Sequence, residues 1–210
     1  MLFEQSNRWL FVMVCLAVMT VLSCAGYNSL SSKVHPEEPP PDYIALGNKY
    51  FLGDGVERDY SQAAMYFQKA ADEQDAPEAW FMLGRMHLEG LGFEQDIKEG
   101  ARDYAKAANL GHDEARYQLA ALFFSSRAYD EAFDWAAPAA KNNHAKAQFL
   151  VGMLFLEVGD NDLALEWLAR SAVKGHAPTA GIIASLGASP QDLPDPSAPI
   201  REDMMANPFK

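Results

Sequence analysis

Positive charge is scarce in this 210-residue chain: 17 Lys and Arg stand against 29 Asp and Glu, a formal net charge of −12. Such a surface repels a phosphate backbone, and no basic stripe offsets it, so nucleic acid is excluded as a partner. Cysteine is nearly absent, with two in the whole chain, which leaves no disulfide framework to staple the fold. Strand-length runs of Val, Ile and Thr are missing as well, and nothing reads as a β-strand. The longest apolar run, Trp9 to Leu22, falls short of the roughly 20 residues that a transmembrane helix needs. What remains is a chain that is 49% hydrophobic and rich in Ala, enough for a helical protein with a buried core.

The two ends differ from the middle. Residues 1–23 carry Arg8, then the apolar run, then small or polar residues, the layout of a secretory signal. Val21-Leu22-Ser23-Cys24 resembles the lipobox of bacterial lipoproteins, which implies that Cys24 is diacylated and becomes the first residue of the mature chain. Cleavage there removes Cys15 and leaves no other thiol, as suits an exported protein in an oxidising space. The bland alternatives are a plain signal anchor or a cleaved secretory signal with Cys24 incidental. Residues 24–41 contain Pro36 and Glu37-Glu38-Pro39-Pro40-Pro41, cannot bury a core, and read as a lipid-anchored spacer with a reach of roughly 50 Å. Residues 187–210, with Pro190, Pro194, Pro196, Pro199 and Pro208, read as a disordered tail, inert or, through Ile200, Met204-Met205 and Phe209, a short docking motif.

Residues 42–186 repeat themselves. Leu46-Gly47, Leu83-Gly84, Leu119-Ala120 and Val151-Gly152 align at spacings of 37, 36 and 32, and Ala70-Ala71, Ala107-Ala108, Ala139-Ala140 and Ser171-Ala172 at 37, 32 and 32. Two landmarks with nearly one period mean one unit used four times. Each unit reads as a helical hairpin, with paired small residues where the helices cross closely. The predicted helices are 42–52, 59–73, 77–89, 96–109, 113–125, 129–141, 145–157 and 161–174, with a short ninth over 178–186; Asp113 and Asn161 are expected caps, and Pro77 and Pro178 first-turn residues. An aromatic recurs at Tyr50, Phe123 and Phe155, with His87 in the second copy.

The first copy, Tyr50-Phe51-Leu52-Gly53-Asp54-Gly55 through Asp59, Ala63 and Lys69-Ala70-Ala71, resembles the Sel-one-like repeat, a relative of the tetratricopeptide repeat; Gly90-Leu91-Gly92, Asp96 and Lys106-Ala107-Ala108 make the second. Copies three and four shorten to the Ser125-Ser126-Arg127 and Gly159-Asp160 turns, closer to the tetratricopeptide form. The resemblance implies an all-α, right-handed α/α superhelical solenoid whose first helices line a concave face and which binds a protein rather than turning over a substrate. An aromatic ladder of Phe81, Tyr117 and Phe149, with Ile44 in the first copy, falls on that face, and its neighbours Asn48, Arg85, Ala121 and Met153 vary from copy to copy. Phe81, Arg85, Tyr117 and Phe149 are the candidate partner-binding residues, and Arg85 is the one least explained by packing.

Catalytic and metal signals are weak. His112, His144 and His176 recur every 32 residues in turns, too far apart along a solenoid to share a metal, so no metal or cofactor is expected. Ser171-Ala172-Val173-Lys174 spells Ser-x-x-Lys, and some relatives of this repeat hydrolyse β-lactams, yet neither Ser-Asp-Asn nor Lys-Thr-Gly follows and Ser171 sits at a packing position. A β-lactam-type hydrolase is therefore only a remote alternative, and no small-molecule substrate is expected. The expectation is a lipid-anchored adaptor of the bacterial cell envelope, at the outer membrane facing the periplasm. The alternative is a soluble periplasmic regulator that sequesters a sensor or enzyme.

Overall fold

The computed structural model describes residues 41–176, 178–189 and 193–210; Cys24 and the expected signal and spacer, up to residue 40, lie outside them. Four antiparallel hairpins follow one another: α1 (Tyr43–Leu52) with α2 (Tyr60–Gln74), α3 (Pro77–Glu89) with α4 (Ile97–Asn109), α5 (Asp113–Ser125) with α6 (Tyr129–Lys141), and α7 (Ala145–Glu157) with α8 (Asn161–Val173). A short α9 (Pro178–Ser185) packs on α8, and a single turn, α10 (Glu202–Met205), lies in the C-terminal segment. Each helix packs chiefly against the next, and no strand occurs among the described residues. The chain is an all-helical repeat solenoid.

Each hairpin closes on the small residues that the period picks out. A β-carbon at Gly84 would stand 2.6 Å from the Tyr104 ring and 3.0 Å from the Gly100 carbonyl, so α3 and α4 touch backbone to backbone. Ala63, Ala107, Ala132, Ala139 and Ala164 are fully buried at the corresponding crossings, and Leu83, Phe67, Phe133 and Trp167 fill the space beside them. Gly53 and Gly90 end their helices at φ 76° and 70°, a backbone that L side chains resist.

The caps depart from expectation by one residue. His112 and Asp160 cap α5 and α8, not Asp113 and Asn161: His112 Nδ1 accepts from Ala115 N–H at 3.1 Å and Asp160 Oδ1 from Leu163 N–H at 3.1 Å. An unprotonated imidazole nitrogen serves here as a carboxylate oxygen does at Asp42, Asp59 and Asp96. Pro77 opens α3 and Pro178 opens α9, where a missing N–H costs nothing.

A larger departure is the C-terminal segment. Residues 193–210, expected to be disordered, lie on α6 and α8: Met204 is fully buried, and Ile200, Met205 and Phe209 pack against the same core. The prolines limit helix there to the single turn Glu202–Met205, and the polar groups of the rest are met by side chains of the repeats.

Candidate functional site

The predicted ladder exists, but Phe81, Tyr117 and Phe149 are each roofed by the histidine that leads into the following helix. Phe81 stacks on His112 with centroids 4.7 Å apart, Tyr117 faces His144 at 5.7 Å, and Phe149 faces His176 at 4.8 Å. His112 and His144 cap the following helix through Nδ1, so Nε2 carries the proton and donates to Glu78 and Glu114 of the preceding first helix, each at 2.9 Å. His112 and His144 are thus joints between hairpins, His176 pairs through Nδ1 with Thr179 of α9 at 3.2 Å, and the ladder aromatics are half-buried beneath the three histidines. Among the described residues no cluster of His, Cys, Asp or Glu is arranged to hold a metal ion.

Glu114 is the most heavily bonded acid on this face. His144 at 2.9 Å, then Lys146 and Gln118, hold its carboxyl down to about 2 against the burial that opposes them. Lys146 also lies over the Tyr117 ring at 5.4 Å. Burial, with a smaller push from Lys146, holds His176 below its ordinary value.

Arg85 has contacts that the repeat pattern does not reveal: its Nε donates to Glu89 at 2.8 Å, and the guanidinium lies 5.3 Å from the Phe51 ring centroid of the preceding hairpin. Its side chain stays 43% exposed, so a second partner can still reach it.

Close by is a pair that the sequence reading missed. His87 stands where other copies carry Tyr50, Phe123 and Phe155, and Asp103 where they carry Tyr66, Trp135 and Trp167. In the first copy the two aromatics stack at 5.6 Å; in the second, His87 Nδ1 donates to the buried Asp103 carboxylate at 2.9 Å, with Lys106 on its other oxygen at 3.1 Å. Aligning both positions together, rather than His87 alone, reveals the exchange.

The Ser-x-x-Lys motif is structural. Ser171 is fully buried and donates to the Ala145 carbonyl at 2.8 Å, while Lys174 is exposed.

On the second-helix side, the C-terminal segment sits against α6 and α8. Arg170 donates to the Pro196 and Ala198 carbonyls at 2.9 and 2.6 Å, and Trp167 Nε1 to the Met204 carbonyl at 3.3 Å. Arg201 pairs with Glu166 at 2.9 Å, Asn207 donates to Asp130 and Asp134, and Lys210 pairs with Asp134 at 2.7 Å. A polar cleft of about 700 Å³ opens beside the strap, between Asp160, Asp162 and Glu166 on one side and Arg201 and Asp203 on the other.

A family model described as Sel1 repeat matches residues 41–75, 77–112, 113–144 and 145–176, most of the chain and one match per hairpin. Among solved structures, c5321, a protective antigen of uropathogenic Escherichia coli displaying an SLR fold, is 28% identical with a TM-score of 0.65 over 69% of this chain. This chain spans 33% of that one. A Sel1 repeat protein from Oxalobacter formigenes is 27% identical with a TM-score of 0.65, over 80% of this chain and 74% of that one. No protein of curated function matches the chain.

Proposed function

The chain belongs to the Sel1 repeat family, whose members generally mediate protein–protein interaction, and on that premise we propose that it is a membrane-tethered adaptor of the bacterial cell envelope. In this reading Cys24 carries the acyl chains, residues 24–41 hold the solenoid clear of the lipid headgroups, and the four hairpins organise or stabilise a larger assembly. The observation that carries it is the contrast between constant and variable positions. Buried crossings are kept in all four hairpins, while outer positions such as Asn48, Arg85, Ala121 and Met153 change from copy to copy. A scaffold that keeps its crossings and varies its surface suits recognition of one partner. The fold is typical of non-enzymatic interaction scaffolds, and Ser171, the nearest thing to a nucleophile motif, is consumed by packing.

Lipidation supplies the test of the tether, because stable anchoring needs two or more acyl chains. Intact-mass measurement of the mature protein is expected to show Cys24 acylated, and Cys24→Ala to release the protein from membranes or block its maturation. An unmodified Cys24 at a mature N-terminus would remove the tether and leave a soluble periplasmic regulator as the reading.

A further inference from the structure

We propose that the second-helix face of the last two hairpins is a peptide-binding site for a partner segment with basic residues flanking a Met- and Phe-containing stretch, a site held here by the chain's own residues 196–210. The proposal deepens the adaptor reading and rests on it, but it places recognition on α6 and α8 rather than on the first-helix ladder.

Three observations carry it. The first is Arg170, which is 6% exposed, spends two of its nitrogens on backbone carbonyls and, among the described residues, has no carboxylate hydrogen-bonded to it and no partner for Nε. The equivalent residue in the first two hairpins is Lys69 or Lys106. The planar guanidinium fork presents two parallel N–H groups in fixed geometry to the two carbonyls of the Asp195–Ala198 turn, so the exchange of Lys for Arg suits a site that reads peptide backbone. Beside it, Trp167 spends its indole N–H on a third carbonyl, that of Met204.

The second observation is charge at the outer positions. Where α2 and α4 carry Met65 and Arg102, α6 and α8 carry Asp134 and Glu166, and these acids receive Lys210 and Arg201. The groove is complementary to a segment that is basic at both ends, and Asp134 is held below the usual carboxylate range chiefly by Lys210.

The third is the uneven grip on the strap. Met204 is its one fully buried side chain, whereas Arg201 and Lys210 are half exposed in their ion pairs, where water and salt weaken them. A strap with one fully buried side chain, whose other holds are half-buried packing, hydrogen bonds and screened charges, is displaced by a segment of the same chemistry, and its attachment in cis sets the concentration a competitor must exceed.

The test uses the full chain with a protease site placed at Ala188, kept in detergent because of its apolar leader, so that the protein folds with the strap in place before it is cut. The probe is a fluorescent synthetic peptide of residues 193–210, followed by anisotropy. After cutting, the chain is expected to bind the probe, and the uncut chain to bind it at least about tenfold more weakly. Arg170→Lys, which restores the residue of the first two hairpins, is expected to weaken binding to the cut chain by about tenfold while leaving its helicity unchanged. Raised salt is expected to weaken it further. If cutting unfolds the chain, the same titration on uncut protein carrying Met204→Asp and Arg201→Glu gives the same reading. A folded cut chain or strap variant that ignores the probe, or an uncut wild-type chain that binds it equally well, would overturn the proposal. The assay contains no envelope component, so either failure removes this groove and leaves the tethered adaptor to its own test.

Discussion

In the first two hairpins the second helices present Met65, Ile97 and Arg102 to solvent, with Met65 41% and Ile97 61% exposed. In the last two, the same positions hold Asp134, Tyr129 and Glu166, and each grips a residue of the C-terminal segment: Lys210, Phe209 and Arg201. The loops differ in parallel, with left-handed Gly53 and Gly55, then Gly90 and Gly92, in the first half and short turns in the second. One hairpin has therefore been copied with its crossings intact and its outer face rewritten. Packing tolerates little change where helices meet, so specificity is written where they do not.

The largest effects should fall on what the halves share. Leu83 and Leu119 occupy one position of the repeat and both are buried, so Leu83→Ala and Leu119→Ala should each lower stability by roughly 2–5 kcal/mol in urea titrations. A large loss at one and none at the other would break the equivalence of the halves. Gly84→Leu should cost about 3 kcal/mol, because its side chain would meet Tyr104 and the Gly100 backbone.

Met204→Ala sharpens the difference. It should cost about 2 kcal/mol, with loss of amide protection by hydrogen exchange confined to α6, α8 and the strap. Equal loss in α2 and α4 would mean that the strap stabilises the whole solenoid rather than its last half.

A pH titration comes next. The Glu114 carboxyl sits at about 2 in the folded protein against 4.5 when unrestrained, so the folded state binds fewer protons and gains stability that is fully present above about pH 5. That contribution should disappear as pH falls from 4.5 toward 2. Glu114→Gln should be less stable than wild type at neutral pH and converge with it in acid. Parallel curves would show that the joint at His144 contributes nothing.

The smallest effect is at Arg85. Its exposed ion pair with Glu89 should be worth under about 0.5 kcal/mol, so Arg85→Ala should leave the melting temperature nearly unchanged. Binding of the partner, measured by titration calorimetry, should weaken by about 1 kcal/mol or more. No loss of binding would move recognition off the first-helix face.

The helices were legible in the sequence because their signal is local and repeated: 77–89, 113–125, 129–141 and 145–157 match Pro77–Glu89, Asp113–Ser125, Tyr129–Lys141 and Ala145–Glu157. The cap at His112 slipped by a residue because histidine is not a usual cap and its neighbour Asp113 is, and the cap at Asp160 slipped because Asp160 and Asn161, side by side, are both usual caps. The ladder of Phe81, Tyr117 and Phe149 was visible as a period, but not the histidines that cover it, since each contact joins residues about thirty positions apart. The strap was read as disorder because composition reports only what a segment can bury by itself. Its partners, Asp130, Asp134 and Trp167, lie 77, 73 and 37 residues away from the atoms they hold, and no local pattern encodes such pairs.

The central claim, that this solenoid is a tethered scaffold for a specific protein, is tested most directly by photo-crosslinking in cells. A photoreactive residue would be placed in turn at Arg85 on the first-helix face and at Met65 and Lys210 on the second-helix face, in wild-type and Cys24→Ala backgrounds. The account predicts an adduct of one discrete mass from at least one position, strongly reduced when Cys24 is replaced. Absence of any discrete adduct from all three positions, in a protein shown to be folded and acylated, would contradict it.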